Sequence, residues 1–125
     1  MSSQIINCYN TGSIEAIRPA GISGQSIQKS IVKNCYNIGN VTKVEGYTHV
    51  DYSHYGIVAV LRDEDEINNC YYLNGSVNNG IDIDECECVI NKTSEELKLL
   101  YSVLGKSFRE DTDNINNGYP ILFYQ

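Results

Sequence analysis

The chain has 125 residues, which is room for one compact domain. Its net charge is −7 and its nine Lys and Arg residues are scattered. Nucleic acid and anionic membranes are therefore not expected as partners, because both require clustered basic side chains. Apolar runs all fall short of the roughly 18 residues that span a bilayer, so membrane insertion is not expected either. The abundance of Tyr, Gly and Asn predicts short strands joined by tight turns.

A pattern built on Asn-Cys-Tyr occurs three times in the first part of the chain. In every copy an aliphatic residue lies three positions before the Cys, and a Gly and then a β-branched residue follow the Tyr. Successive cysteines are 27 and then 35 residues apart, and the eight additional residues fall between Gly39 and Gly56. The first, second and third repeats span residues 5–14, 32–41 and 67–77.

A shorter Gly-Ile element lies between the repeats, at Gly21 and again at Gly56, each 14 residues before the next repeated Cys. One unit of this length cannot bury its own apolar face, but stacked copies can. The sequence therefore predicts an all-β fold, a short right-handed parallel β-helix (β-solenoid) of about three to four coils. Equivalent residues are expected to stack in structural ladders, with the glycines at corners where a side chain would obstruct the turn: Cys8, Cys35 and Cys70; Asn7, Asn34 and Asn69; Tyr9, Tyr36 and Tyr71; Gly12, Gly39 and Gly75.

The five cysteines have two structural interpretations. A free Cys is a small apolar residue that suits a narrow interior, so we favour a ladder of buried thiols. Stacked cysteines would also be close enough for disulfides, although parallel in-register side chains point alongside each other. Cys86 and Cys88 are the one close pair, and His49 and His54 are the only histidines, so we expect no zinc. No cofactor or metal site is predicted.

The C-terminal part, residues 86–125, differs from the repeats that occupy residues 1–85. Thr93 and Glu96 have the spacing of a capping box, and apolar residues follow at helical intervals up to a Gly, which predicts a helix over about 94–104. Residues 117–124 read as a turn that leads into a final short strand. A stacked-repeat fold needs a distinct terminal unit, so we expect residues 86–125 to form a cap over the last coil.

The Asn-Cys-Tyr-Asn-x-Gly-x-Val unit, alternating with Gly-Ile-x-Gly, resembles the GLUG-type repeat of bacterial cell-surface proteins. Ala20–Gly24 fits the shorter element, whereas Tyr55–Ala59 lacks its final Gly. The ending resembles the C-terminal end of the repeat array in clostridial proteins of this kind: Cys-Tyr-Tyr-Leu, then Ser-Glu-Glu-Leu, then Leu-Gly-x-x-Phe, then Asn-x-Gly-Tyr-Pro-Ile-Leu. The resemblance covers about residues 5–124.

The resemblance implies a secreted or cell-surface setting, in large exported proteins that include adhesins and IgA-cleaving metallopeptidases. In those peptidases the zinc chemistry belongs to a separate domain with a His-Glu-x-x-His motif, which this sequence lacks. It therefore implies no catalytic residue in this chain. We predict a non-catalytic surface, adhesion or binding module, with host protein or glycan as the ligand. The alternative is a fragment of a polysaccharide-active β-helix enzyme, a lyase or a hydrolase.

The insertion between the second and third repeats is the candidate binding loop. Aromatic and polar side chains that project from a regular scaffold are suited to stacking on sugars or to contacts with proteins. Packing of these aromatic residues against the flank of the scaffold is the competing interpretation. The residues of the loop are Tyr47, His49, Asp51, Tyr52, His54 and Tyr55.

Three groups of carboxylates resemble sites and are better explained as structure. The acidic run 63–66 is typical of a solvated turn. Residues 111–118 do not fit the register of a calcium-binding EF-hand loop and predict an Asx- and Gly-rich turn. Asp82 and Asp84 share one strand face, as a catalytic carboxylate pair would, but an exposed strand face with Ile81 and Ile83 turned inward explains them better.

The start of the chain carries a further expectation. Residues before Ile5 contain no signal-peptide pattern, and the first repeat begins almost at once. We therefore expect a segment of a longer exported protein, whose first strand leaves backbone groups unpaired. Such an edge favours either disorder of the first residues or edge-to-edge self-association.

Overall fold

The structure is a computed structural model that describes residues 3–17, 19–23, 29–44, 55–58, 64–76 and 89–125. Within these ranges the regular structure is mostly β, with one short α-helix and one 3₁₀ turn. The elements are β1 (Gln4–Ile6), β2 (Tyr9–Asn10), β3 (Ile14–Ala16), β4 (Ile31–Asn37), β5 (Val41–Lys43), β6 (Glu66–Leu73), β7 (Val89–Lys92), α1 (Ser94–Lys98), the 3₁₀ turn Leu100–Ser102, β8 (Phe108–Arg109) and β9 (Ile121–Leu122).

The main sheet is parallel and joins the three repeats in register. Its order is β1-β4-β6-β7, and β2 also pairs with β4. Tyr9 pairs with Tyr36, and Cys35 pairs with Cys70, so equivalent residues of successive repeats face each other. β7 continues the sheet beyond the third repeat by pairing with β6. Parallel strands therefore extend into the 86–125 range that the sequence assigned to the cap.

A left-handed Asn explains the spacing within each repeat. Strand side chains alternate between the two faces, so residues three apart normally point to opposite sides. Val32 and Cys35 nevertheless both belong to the interior cluster, while Tyr36 belongs to the cluster on the opposite face. Asn34 lies between them with φ 53°, a left-handed conformation that Asn tolerates well, and this single residue shifts the alternation. Asn7 and Asn69 repeat it with φ 59° and 54°.

The interior of the stack lies between the main sheet and the Gly-Ile elements. Ala20 bridges Tyr55 and Ser23 bridges Val58 in parallel, in the same 35-residue register as the second and third repeats. The two central glycines of these elements adjoin bulky neighbours, since a Cβ at Gly21 or Gly56 would overlap the following repeat. The buried members of this cluster are Val32, Cys35, Ile57, Val58, Cys70, Tyr72 and Val89.

The corner glycines do not share one role. A Cβ placed on Gly39 would lie 2.0 Å from the carbonyl oxygen of Gly12, so the close approach of two backbone corners requires glycine there. Gly75 has φ +86° and is needed for its conformation. Gly12 has neither constraint, because the nearest atom to its Cβ position is the Asn10 Oδ1 at 3.6 Å. The expectation that a side chain would obstruct the turn at Gly12 is therefore wrong for the described structure.

The predicted helix begins where the sequence places it but is shorter. Thr93 is the N-cap, its hydroxyl accepts a hydrogen bond from the N–H of Glu96, and the reciprocal bond completes the capping box. The α-helix ends at Lys98 rather than near residue 104, and the chain continues as the 3₁₀ turn. The tighter winding satisfies carbonyl groups at the end of the helix through bonds between residues three apart.

The C-terminal segment packs along the flank of the sheet rather than only beyond its last strand. Leu97, Leu100, Leu104 and Phe108 form one cluster with Tyr36 and Tyr71 on the outer face. β8 and β9 pair antiparallel. Within the described residues, no helix is long and apolar enough to cross a membrane.

Candidate functional site

The candidate binding loop falls almost wholly outside the described residues. Tyr47, His49, Asp51, Tyr52 and His54 belong to the range 45–54, which the structure does not describe. Tyr55 is described, and its backbone is part of the stack: its N–H donates to the Pro19 carbonyl at 3.2 Å, and its carbonyl accepts from Gly21. The loop therefore joins the stack directly at its C-terminal end.

The repeated asparagines form a continuous hydrogen-bonded ladder. The Asn69 Nδ2 donates to the Asn34 Oδ1 at 2.9 Å, and the Asn34 Nδ2 donates to the Asn7 Oδ1 at 3.0 Å. The C-terminal segment binds both ends, because Asn69 also donates to the Val103 carbonyl and Asn7 donates to the Ser107 Oγ. The ladder thus fixes the register of the repeats and the position of the C-terminal segment together.

A shallow pocket of about 440 Å³ opens beside Asn34 and Asn69 of this ladder. Two of its polar groups bind each other, since the Tyr71 hydroxyl donates to the Asn69 Oδ1 at 2.7 Å. Ile90 and Val103, both partly exposed, supply its apolar surface. The pocket has no concentration of charge, with Lys33 as its single charged residue; its lining is Lys33, Asn34, Asn68, Asn69, Tyr71, Ile90 and Val103.

A second pair of asparagines stabilises the corner of the repeats. The Asn37 Oδ1 accepts from the N–H of Gly39 at 3.0 Å, and the Asn37 Nδ2 donates to the carbonyl of the same residue. Asn10 makes the equivalent bonds around Gly12 and donates to the Asn37 Oδ1 at 2.8 Å. Tyr72 takes this position in the third repeat, so the corner there has a different turn with Gly75 in the left-handed region.

Cys8, Cys35 and Cys70 carry thiols rather than disulfides. Each Sγ lies near the carbonyl oxygen two residues earlier, at 3.4, 3.2 and 3.4 Å respectively. The hydrogen bond with Cys70 and burial raise the pKa of Cys35 far above its ordinary value, and burial raises the pKa of Cys8. Thiols with raised pKa values are poor nucleophiles at neutral pH, which is typical of structural cysteines. Cys86 and Cys88 lie outside the described residues.

The tyrosine column is a packing feature. The rings of Tyr9 and Tyr36 stack with centroids 5.1 Å apart and planes 5° from parallel, and Phe108 packs against Tyr36. The Tyr36 hydroxyl donates to the Pro120 carbonyl and accepts from the Asn116 Nδ2. Burial, with the neighbouring Tyr9, raises the pKa of Tyr36 well above its usual range, so its hydroxyl stays protonated. The sequence predicted the column but not its hydrogen bond to the C-terminal segment.

Asp111 organises the turn that the sequence predicted at residues 111–118. Its carboxylate accepts from the backbone N–H groups of Ile115, Asn116 and Gly118 at 2.7, 2.7 and 2.9 Å. Burial alone would raise the pKa of Asp111, but these three donors and the nearby Arg109 outweigh it and hold the pKa below its ordinary value. The carboxylate is therefore occupied by the chain itself, as an Asx-type turn requires.

Of the remaining carboxylate candidates, one has a structural partner and two are not described. Asp65 accepts from the N–H of Ser30 at 2.9 Å and so stabilises the start of β4. Asp82 and Asp84 lie outside the described residues. In the parts of the chain that the structure describes, no group of three or more His, Cys, Asp or Glu residues could hold a metal ion. The Ser76 Oγ is the one buried side-chain polar atom that lacks a hydrogen-bond partner in those parts.

Comparison with known proteins finds a similarity to a solved structure. No family model matches the chain. No curated protein matches it either. The chain is similar to a crystal structure of a putative immunoglobulin A1 protease from Bacteroides ovatus, with a TM-score of 0.60 and 17% sequence identity. The match covers 98% of this chain but 48% of that protein, so the chain spans about half of its length. At this identity the similarity concerns the fold alone.

Proposed function

We propose that the chain belongs to a short right-handed parallel β-solenoid that acts as a non-catalytic scaffold in a larger exported bacterial surface protein of the GLUG-repeat type. The parallel pairing of successive repeats supports the solenoid arrangement, because the apolar interior is shared between them. Parallel strands that are joined by crossovers are nearly always right-handed, which supports the handedness.

One observation carries the non-catalytic assignment: the repeated polar side chains already have structural partners. The Asn ladder bonds to itself and to the C-terminal segment. The thiol of Cys35 is buried with a raised pKa, so it is not activated as a nucleophile. A hydrolytic site needs groups whose hydrogen-bonding capacity is directed to a substrate. Within the described residues, the polar side chains of the repeats use their hydrogen bonds to join one strand to the next.

The segment 45–54 is the part of this scaffold to which we assign recognition. In the sequence it connects β5 with the bridge residues Tyr55–Val58, so paired positions flank it on both sides. It contains two of the chain's ten tyrosines and both of its histidines, a composition suited to stacking on a sugar ring or on a protein surface. Host protein and host glycan are the proposed ligand classes.

The protease activity in the name of the Bacteroides ovatus neighbour refers to that whole protein, of which the present chain matches 48%. The present sequence has two histidines and no His-Glu-x-x-His motif, so it lacks the residues that a zinc peptidase of that motif uses. We therefore propose that a chain of this kind accompanies a catalytic domain or an adhesive one and does not perform the cleavage.

A binding experiment with a matched control tests the proposal. The chain is applied to a glycan array and to immobilised host glycoproteins, including immunoglobulin A. A triple variant of the loop, Tyr47→Ala, Tyr52→Ala and His54→Ala, is compared with Tyr124→Ala, which removes an aromatic side chain that is 84% exposed elsewhere. We expect the triple variant to weaken binding at least about tenfold, since aromatic contacts dominate such surfaces, and the control to leave it unchanged.

The enzymatic alternative is tested in parallel. Polysaccharides and immunoglobulin A are incubated with the chain, and new reducing ends or protein fragments are measured. Turnover that disappears in an Asp82→Asn, Asp84→Asn double variant would overturn the non-catalytic assignment. Binding that is equal in the triple variant and the control would remove recognition from the 45–54 segment.

A further inference from the structure

We propose that the outer edge of β1, β2 and β3 is a docking surface for one more parallel repeat of the Asn-Cys-Tyr-Asn-x-Gly type. This goes beyond the scaffold role, because it assigns a partner chemistry to the end of the stack opposite β7. β4 is paired on both sides, by β1 and β2 on one and by β6 on the other. β1 has β4 as its one neighbour among the described strands, so the alternate backbone groups on its other side point outward.

Gly12 is the first observation that specifies the occupant. In the second repeat, glycine is required at residue 39 because a Cβ there would lie 2.0 Å from the carbonyl oxygen of Gly12 in the preceding repeat. At Gly12 the same direction is open as far as the described residues extend, and none of their atoms lies closer to the Cβ position than 3.6 Å. Nothing among the described residues therefore requires glycine at residue 12. Glycine would be required there, as it is at residue 39, if the backbone of another repeat lay on that side.

The amide of Asn7 is the second observation. Asn69 donates one N–H to the preceding repeat, at the Asn34 Oδ1, and the other to the Val103 carbonyl of the C-terminal segment. Asn7 makes the corresponding bond to the C-terminal segment, at the Ser107 Oγ. Among the residues that the structure describes, its second N–H has no acceptor. A side-chain amide oxygen in the next position of the ladder would complete the same pattern.

The apolar side chains of the edge agree with this occupant. Cys35 and Tyr36 have no exposed surface, because they are covered from both sides. Their equivalents Cys8 and Tyr9 are only partly buried. An additional repeat would cover the first repeat as the first now covers the second. The edge thus presents backbone, amide and apolar groups in the register in which the second repeat presents them to the first.

The test is a longer chain with the register preserved. A copy of residues 4–30, which is one 27-residue period, is inserted between Ser3 and Gln4. Gly12→Val of the original repeat is then introduced into both the parent and the extended chain. We expect the extended chain to melt about 5 °C higher than the parent, since each added repeat contributes an interface. We expect Gly12→Val to leave the parent within about 2 °C and to abolish the gain in the extended chain.

Amide hydrogen exchange supplies an independent readout. The backbone N–H groups of the original β1 that point outward should exchange at least about tenfold more slowly in the extended chain, and Gly12→Val should reverse this. Ser102→Val, at an exposed position of the 3₁₀ turn, is the control and should change neither the melting temperature nor the exchange. Circular dichroism of the Gly12→Val parent verifies that this variant folds.

Three results would overturn the proposal. The inserted copy could leave the melting temperature and the exchange unchanged, or Gly12→Val could cost the same in both chains. A concentration-dependent dimer of the parent that Gly12→Val dissociates would assign the edge to a second copy of the chain instead. None of these results bears on the proposed recognition or non-catalytic role, which binding and turnover test.

Discussion

The first and second repeats carry the same Asn-Cys-Tyr-Asn-x-Gly residues, yet their environments differ. In the second repeat, Cys35 and Tyr36 are completely buried, and Gly39 lies against the strand before it. In the first repeat, Cys8 and Tyr9 are partly exposed, and no described residue fills the space beside Gly12. Burial in this molecule is therefore set by the neighbours on either side, and the sequence of a repeat fixes only its capacity to stack.

The largest difference between the two repeats is expected at the corner glycines. Gly39→Ala should lower the free energy of unfolding by at least about 3 kcal/mol, because the new methyl group overlaps the backbone of Gly12 and the strands must separate. Gly12→Ala should be neutral or should stabilise by up to about 1 kcal/mol, since the methyl group has room and the unfolded chain loses freedom. Urea denaturation of both variants measures the two values.

Equal losses at residues 12 and 39 would contradict the comparison. They would mean that the strand spacing seen between the first two repeats does not set the need for glycine. The matched size of the two substitutions excludes helix or strand propensity as the cause of any difference.

The next difference is expected at the tyrosine hydroxyls. Tyr36→Phe should destabilise the chain by about 1–3 kcal/mol, because the Pro120 carbonyl and the Asn116 amide would lose their buried partner. Tyr9→Phe removes an exposed bond to the Gln125 side chain and should cost no more than about 0.5 kcal/mol. Thermal unfolding by circular dichroism measures both. A loss from Tyr9→Phe as large as that from Tyr36→Phe would show that the first repeat is as enclosed as the second.

The smallest effect is expected in thiol reactivity, which leaves the fold intact. Cys8 should react with iodoacetamide at least about tenfold faster than Cys35, because only Cys8 is partly exposed. Burial raises the pKa of Cys8 above the ordinary value of 9.0, so its rate should still be rising beyond that pH. Peptide mapping by mass spectrometry separates the cysteines.

The same pKa shifts determine whether the stability of the fold rises or falls with pH. A thiol whose pKa is higher in the folded chain contributes stability that is complete below the unfolded value of 9.0 and is lost as the pH rises through the folded value. Alkaline pH should therefore destabilise the chain. Cys35→Ala should reduce this dependence on pH more than Cys8→Ala, and the opposite ranking would contradict the assigned burial.

The repeats could be predicted from the sequence because each copy carries its own register. The recurrence of Asn-Cys-Tyr at 27 and 35 residues indicates which residues pair, and the Thr93–Glu96 spacing indicates where the helix begins. β7 carries no such signature, since Val89–Lys92 contains neither Cys nor Tyr, and it was not predicted as a strand of the stack.

Other features depend on contacts that no local pattern encodes. The helix ends at Lys98 although apolar residues continue at helical spacing, because those residues pack on the tyrosine column from a 3₁₀ turn as well as from an α-helix. The docking of the C-terminal segment along the flank rests on bonds such as Asn7 to Ser107, which join residues 100 positions apart. The candidate site was predicted mainly on residues 45–54, and that prediction stays open.

The asparagine ladder has a consequence for how such a chain can change. Its bonds join Asn7, Asn34 and Asn69 directly, whether 27 or 35 residues intervene. Strand alignment is thus independent of the length of the connecting segment. Because closing a longer loop costs only about 0.6 kcal/mol per doubling of its length, residues 45–54 form a natural graft site. Peptides of foreign sequence and different size should be accepted there while the alignment of the strands is retained.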